Sequence, residues 1–417
     1  MREDRQHQAA FATSPAAAVP PWGTQIATLS PATRDVIVTF STDTWADAVH
    51  RDFCRPPEQL AFSLQADDRV GQLVVTDAFR SRAAQAVDAV KRVEVAFPAD
   101  ERTHLVRPRQ WSRRPPMNER EARSMAMRYD DALAQAVRMH ELTDVVVITT
   151  SALVAGFAPM RWAARVVFYA RDDWAAKAET PTARRAFDAA YEGLRETRRS
   201  VVAVSSVLLD RLAPTAPSIV VPNGIDASVW GPRASEPPEL AALPRPIVAY
   251  AGTVDDRLDA GAVRAVADAV AGGTVLLMGP LGRVHPMAEL SDLTAVRYLG
   301  VLPQARLAAV LQHVDACIMP HHRTPLTEAM CPLKLMDYLA SGQPVAATDL
   351  PTTYGHGNRV VPVGADDDWG AAVHEALRKG RATDAERYAF VTANSWRIRH
   401  RALIDLALEA GDSNDPE

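Results

Sequence analysis

The stretch "SIVVPNGIDASVWGPRASEPPELAALPRPIVAYAGTV", residues 218–254, decides how the chain folds. It begins with one β-branched run and ends with another. Between them, residues 221–246 are rich in proline and glycine and carry no sustained apolar period, as a join between two domains does. Upstream, short apolar runs alternate with helical patterns: "DVIVTF", "QLVVTD", "VEVAFP", "DVVVITTS", "ARVVFYARDD" and "SVVAVSS". Downstream the alternation restarts with "PIVAYAGTV", "GTVLLMGP", "VRYLGVL", "ACIMP", "PVAATD" and "RVVPVG". Several runs lack polar alternation, which marks parallel strands covered by helices on both faces. The chain of 417 residues also exceeds the length, about 250–300 residues, at which a single core stops growing. The expectation is an α/β protein with a flexible tail over 1–30, one domain over 31–221, a second over 222–394, and a terminal helix, "SWRIRHRALIDLALEA", within 395–417.

Composition narrows the function. Hydrophobic residues at 47% and charged residues at 23% describe an ordinary globular chain. A net charge of −5, with no zinc-finger or RNA-binding signature, argues against nucleic acid as a partner. Three cysteines, Cys54, Cys317 and Cys331, are an odd and sparse set that suits free thiols in a reducing compartment. The early stretch "AAFATSPAAAVPPW" is interrupted by Pro15 and Pro20 too soon for a signal-peptide core. The longest uncharged run, 145–160, falls short of the ~20 residues that span a bilayer. A cytoplasmic protein without a transmembrane helix is expected; its oligomeric state is not legible.

Ligands of open parallel sheets sit beyond the carboxyl ends of the strands, so two such sheets facing each other create a cleft. Neither half contains the Gly-x-Gly-x-x-Gly turn or a Gly-Lys-Ser/Thr loop, which weakens a dinucleotide oxidoreductase or a P-loop hydrolase. In "YAGTVDDRLD", Gly252 and Thr253 follow a strand where a ligand can approach the backbone, and Arg257 offers a bidentate fork. An ordinary βα turn is the alternative. In "CPLKLMDYLASGQPV", residues 331–345, Pro332 suits the first turn of a helix and Gly342 its left-handed exit. Helical spacing puts Lys334, Asp337, Tyr338 and Ser341 on one stripe, with Leu335, Met336 and Leu339 opposite. A helix dipole disfavours Lys334 in the first turn, so the lysine calls for an anion; Asp337 could accept hydrogen bonds from a ribose diol. A surface Lys/Asp pair is the open alternative.

Three further groups stand out. "YARDDW" puts Asp172 and Asp173 at a strand end, where they orient a substrate hydroxyl, act as base, or cap a helix. Cys317, His321, His322 and Cys331 have spacing unsuited to a metal site, and His321 or His322 lies either near a bound ligand or in a plain loop. Residues 102–128 hold eight arginines and Trp111, with "TARRAF" and "RETRRS" adding more. That composition is either a solvated surface or a basic face for anionic lipid.

At this point the sequence resembles a known family. "PLKLMDYLASGQPVAATDLP" is similar to the donor-site motif of GT-B-fold glycosyltransferases of family 4, in the branch of teichuronic-acid and other cell-surface polysaccharide transferases. "VAVSSVLLDRL", "VPNGIDASVW", "YLGVLPQARLAAVLQHVDACIMP" and the "SW" before the last helix agree with it. The resemblance runs from about Asp35 to the end and is strongest over the second domain. It implies two Rossmann-like domains facing an interdomain cleft, the nucleotide sugar on the C-terminal domain, the acceptor mainly on the N-terminal one, and a last helix that crosses back.

The resemblance also implies roles. Gly252 and Thr253 lie by the diphosphate and Arg257 opposite the phosphates; because the family's usual following lysine is absent, weight shifts to Lys334, preceded by Leu333 in a Pro-Leu-Lys pattern. The backbone of Val301 and Leu302 meets the base, and Asp337 replaces the glutamate that holds the ribose. Its companion glutamate is missing at Ala329, leaving Glu328 and Thr327 as neighbours of the sugar. Asp172, Arg257 and Lys334 are the implied catalytic residues, and "STDTWADAVHRDFCRPPEQLAFSL" the acceptor loop, without its usual double glycine. The implied reaction transfers a sugar from a nucleoside diphosphate to a glycan, lipid-linked or natural-product acceptor, with retention and no bound metal or other cofactor; the basic segment, read as a lipid-facing surface, adds peripheral contact with the inner membrane face. A hydrolysing epimerase and a non-catalytic nucleotide-sugar binder are the competing readings.

Overall fold

Runs of β-branched residues bury best when both faces of a sheet are covered, and the chain uses them this way twice. In the computed structural model, which describes residues 33–409 apart from 41, 82–96, 98, 111–115 and 117, two large parallel sheets form beside a two-stranded pair of Arg80–Ser81 with Arg109–Gln110. The first contains β1 (Arg34–Thr39), β2 (Val70–Thr76), β3 (Thr103–Val106), β4 (Val146–Thr149), β5 (Arg165–Ala170), β6 (Ser200–Ala203) and β7 (Ile219–Val220). Their order is β3-β2-β1-β4-β5-β6-β7. The second contains β8 (Ile247–Ala251), β9 (Thr274–Met278), β10 (Val296–Gly300), β11 (Ala316–Met319), β12 (Val345–Thr348) and β13 (Val360–Val363), ordered β10-β9-β8-β11-β12-β13. In both sheets the order in which the chain adds strands reverses beside the first strand, between β1 and β4 and between β8 and β11. A crevice opens at such a switch point, beyond the carboxyl ends of the strands.

All six downstream runs are strands. Upstream, "VEVAFP" falls, but for Phe97, outside the described residues, as does the expected tail. The strand beside β2 is instead "THLV", an edge strand with only Thr103 buried, so its sequence lacks a strong strand signature.

The join is fastened to the last helix. Ile225 N–H donates to Asn394 O at 2.9 Å, and Trp396 N–H donates to Ile225 O at 3.0 Å. A Cβ on Gly224 would come within 2.9 Å of the Trp396 ring, so glycine permits this approach. From there helix Trp396–Leu408 packs on helix Pro56–Gln65 and on β4 and β5, and Leu403, Ile404, Ala407 and Leu408 enter the core of the first domain. The domains also touch at the cleft, where Ser205 Oγ donates to Ala329 O and Asn223 Nδ2 donates to Cys331 O, each at 2.6 Å. Among the described residues, no helix is long and apolar enough to cross a membrane.

Candidate active site

Helix Leu333–Ser341 is entered through Pro332, which is its N-cap rather than its first helical residue (φ −71°, ψ 119°), and no side chain caps it. Leu335 N–H is taken by Pro332 O at 3.1 Å, so the amides of Leu333 and Lys334 are the ones that no side chain caps. Gly342 closes it at φ 84°, the left-handed exit that glycine favours. The polar stripe expected from spacing is narrower in the fold. Tyr338 is buried, its hydroxyl accepting from Ala251 N–H at 2.7 Å and donating to Ala251 O at 3.0 Å, which ties the helix to the end of β8. Ser341 is buried too and donates to Tyr338 O. Lys334 and Asp337 remain partly exposed.

Lys334 Nζ donates to Tyr250 Oη at 2.6 Å and to His321 Nε2 at 2.9 Å, and lies 4.3 Å from the centre of the Tyr250 ring. Tyr250 passes its own proton to Thr253 O at 2.8 Å. Burial, helped by Arg257 and opposed by Asp255, lowers Lys334 to about 7. Burial, with Lys334 and Arg257 adding to it, holds His321 neutral and well below its ordinary value. Its Nε2 is the acceptor, so the ring proton sits on Nδ1. With two of three ammonium protons engaged, one is left for a ligand. Gly252, at φ 145°, lies under this ammonium: a Cβ there would come within 2.7 Å of Lys334 Nζ.

The neighbouring strand ends complete a floor. Gly252 N–H donates to Met278 O and Gly279 N–H to Gly300 O, both at 2.8 Å, which aligns the turn after β8 with Val301 and Leu302 after β10. Val301 is exposed and Leu302 half-buried. Arg257 stands beside this floor, but its fork is partly taken: Asp255 accepts from Nη2 at 2.5 Å and from Nε at 2.9 Å. Burial alone would raise Asp255, yet Arg257 holds it below the ordinary carboxylate range.

Asp337 forms no ion pair among the described residues, and burial raises it to about 7. Across the cleft, the Cys54 thiol is pushed up to about 11 by burial, then by Glu58 and, among smaller influences, by Asp337. Asp172 likewise acts on Arg257 from the first domain, while pairing with Lys177 at 3.5 Å. The helix cap is Asp173, which accepts from Ala175 N–H and Ala176 N–H.

The structure thus brings Gly252, Thr253, Arg257 and Lys334 together, with Asp172 opposite Arg257. Thr327 stands apart from a ligand, fully buried with its hydroxyl donating to His322 O at 2.8 Å, and Glu328 pairs with Arg323 at 2.7 Å. Leu333 is half-buried in the first turn. Sequence reasoning did not find Tyr250 or Asp255. The tyrosine sits inside an apolar strand, whereas the Asp-x-Arg spacing of Asp255 and Arg257 was a readable signal. Of the four metal-like residues, His321 reaches Lys334, His322 lies 3.8 Å from Asp259, Cys317 is buried in β11, and Cys331 packs under Asn223. The basic segment is altered at one position: Arg199 is buried, and its guanidinium closes the carbonyl end of helix Ala152–Phe157 by donating to Ala155, Ala158 and Pro159 carbonyls. Arg199 therefore belongs to the core, and Trp111, Arg113 and Arg114 lie outside the described residues.

Residues 245–379, which carry this floor and helix, match the family described as Glycosyl transferases group 1. This segment is a group 1 glycosyltransferase domain. Over 137 residues, 32% of the chain, the sequence is 27% identical to TuaH of Bacillus subtilis (strain 168), a protein assigned to teichuronic acid biosynthesis as a glycosyltransferase. The match spans about a third of that curated relative, 34% of its length. Sucrose-phosphate synthase from Thermosynechococcus elongatus superposes with a TM-score of 0.63 at 14% identity, covering 89% of this chain and 98% of its own. Anabaena Alr3699/HepE, solved with UDP and glucose, superposes with a TM-score of 0.52 at 14% identity, covering 88% and 95%. At such identities the likeness is one of fold. The group 1 domain is thus the C-terminal half of a GT-B architecture, with the floor under Lys334 on its cleft side.

Proposed function

We propose that the protein transfers a glycosyl group from a nucleoside-diphosphate sugar to an acceptor held on the first domain, with retention of anomeric configuration. What carries this reading is Lys334: a partly desolvated ammonium over the bare backbone of Gly252, at an uncapped helix N-terminus, with one proton unspent. A diphosphate fits that combination. Arg257 adds charge from the edge not paired with Asp255, Asp337 takes the ribose diol, and the backbone at Val301 and Leu302 meets the base. Thr253, Leu333 and Glu328 border the donor. TuaH, named for teichuronic acid biosynthesis, and HepE, solved with UDP and glucose, support a nucleotide sugar as donor.

In the proposed step the acceptor oxygen bonds to the anomeric carbon as the bond from that carbon to the diphosphate breaks. The electron pair leaves with the diphosphate, and the hydroxyl proton passes to the departing phosphate oxygen. Lys334, Arg257 and the helix amides stabilise the charge that grows there, and Asp172 orients the hydroxyl. No resident metal is proposed, because these cations supply the positive charge. Incubation with a panel of nucleotide sugars, with and without acceptors, tests the reading by release of nucleoside diphosphate. Acceptor-dependent release supports it; release without acceptor points to an epimerase, and tight binding without turnover to a binder. A product of opposite anomeric configuration removes retention alone.

A further inference from the structure

A cavity of about 620 Å³ lies in the first domain. Its lining residues follow four strands: Phe40 comes after β1, Phe79 after β2, Leu153 after β4 and Trp174 after β5. The cavity therefore occupies the switch point of the first sheet, and its volume falls in the range of about 300–1,000 Å³ that small ligands fill. Met125 and Phe187 extend an apolar, largely aromatic wall.

The buried polar atoms in that wall are committed, whereas Thr42, Lys177 and Glu179 line its exposed side. Tyr129 donates its hydroxyl proton to Asp77 O at 2.9 Å; Ser151 Oγ accepts from Val154 N–H at 3.4 Å, and Thr180 Oγ1 from Ala183 N–H at 3.2 Å. Trp174 is stacked on Phe187, ring centres 5.9 Å apart at 22°, and Lys177 Nζ lies 4.8 Å from its ring. A free sugar seated against the apolar wall would exchange water for few partners there, and each buried hydroxyl left unpaired is costly. An apolar ring system would instead gain from the surface it removes from water. The cavity also adjoins the proposed reaction centre. Helix Trp174–Lys177 touches helix Pro325–Ala329 of the second domain, and Lys177 links the cavity wall to Asp172, which faces Arg257.

We propose that this cavity holds the acceptor, and that the acceptor is a small molecule whose hydroxyl is carried on a largely apolar, ring-bearing body. This rests on the transferase reading above and names its substrate class. The apolar body fills the wall of Phe40, Phe79, Trp174 and Phe187, while the hydroxyl projects past Lys177 towards Asp172 and the donor.

The test separates the cavity from the chemistry. Binding of 2-naphthol to the full chain without donor is measured by calorimetry for wild type and for Ala183→Trp, which fills the cavity from helix Pro181–Glu196; UDP binding to both reports an intact donor site. The expected result is 2-naphthol affinity at least tenfold lower in the variant with UDP affinity unchanged. If Ala183→Trp does not fold, Ala178→Leu serves for the same comparison. Absent binding, or equal binding in wild type and variant, overturns the proposal. A transfer arm supplies nucleotide sugars with hydroxylated aromatic alcohols, with hexoses and hexose phosphates, or with a lipid extract. Release of nucleoside diphosphate with the aromatic alcohols, lost in the variant, supports the proposal, whereas release with the sugars or the lipid extract alone overturns it. Cavity-dependent 2-naphthol binding with no release under any arm keeps the apolar site and removes the transferase reading.

Discussion

Lys334 and Asp337 sit one helical turn apart, and burial moves both towards neutrality, the first down to about 7 and the second up to about 7. Their proposed duties require the charged forms, so nucleotide-sugar affinity should peak near pH 7. Above that pH Lys334 loses the proton that meets the diphosphate; below it Asp337 gains one and stops accepting from the ribose. Calorimetric titration with UDP-glucose between pH 5.5 and 9 should show both limbs, the acid limb flattened in Asp337→Asn and the alkaline limb in Lys334→Arg. A flat profile in wild type would remove both residues from the site. Lys334→Ala should weaken UDP binding by about 1.5 kcal/mol or more, the scale of one charge-assisted contact and roughly tenfold in dissociation constant. An unchanged constant would exclude the lysine. Gly252→Ala should weaken binding in the same direction, because its Cβ would displace the ammonium that now lies 2.7 Å from that point.

At the scale of elements, helix Ala152–Phe157 crosses helix Pro181–Glu196 at a separation that only glycine permits: a Cβ on Gly156 would lie 2.2 Å from Ala190 O, and one on Gly193 would lie 2.2 Å from Gly156 O. Gly156→Ala should destabilise the protein by about 1–3 kcal/mol through this overpacking, read as a lowered midpoint in urea. A midpoint equal to that of wild type would mean the helices can part freely. The sequence presents Gly156 only as a break in an apolar run, since a contact between helices distant along the chain leaves no local pattern. Strands are different. The six runs from "PIVAYAGTV" to "RVVPVG" are legible because burial on both faces writes the same β-branched signature into each, whereas Thr103–Val106 at a sheet edge needs no such signature. The site divides along the same line. Lys334 and Asp337 are visible through helical spacing and the cap at Gly342. Tyr250 reads as core, and the pairing of Arg257 with Asp255 becomes plain only when the turn closes.

At the scale of the molecule, the two domains are tied through the helix that returns from one to the other, and His400 is the polar group at the centre of that dock. It is fully buried, stacked on Trp396 with ring centres 5.0 Å apart, and its Nδ1 lies 2.8 Å from Ser63 Oγ on helix Pro56–Gln65. Burial pushes it from an ordinary 6.5 down to about 3. The sign of the consequence follows from which state takes up the proton first. As pH falls below 6.5 the unfolded chain protonates His400 while the folded one does not, so stability is present above 6.5 and is lost down to about 3. The slope of that loss is about 1.4 kcal/mol per pH unit where only the unfolded form is protonated. His400→Phe keeps an aromatic ring on Trp396 and abolishes the titration. The advantage of wild type over His400→Phe in unfolding midpoint should therefore be greatest near pH 7 and shrink steadily towards pH 4.5. Midpoints that run parallel over this range would show that the returning helix loosens before His400 meets a proton, and that the dock does not hold it dry.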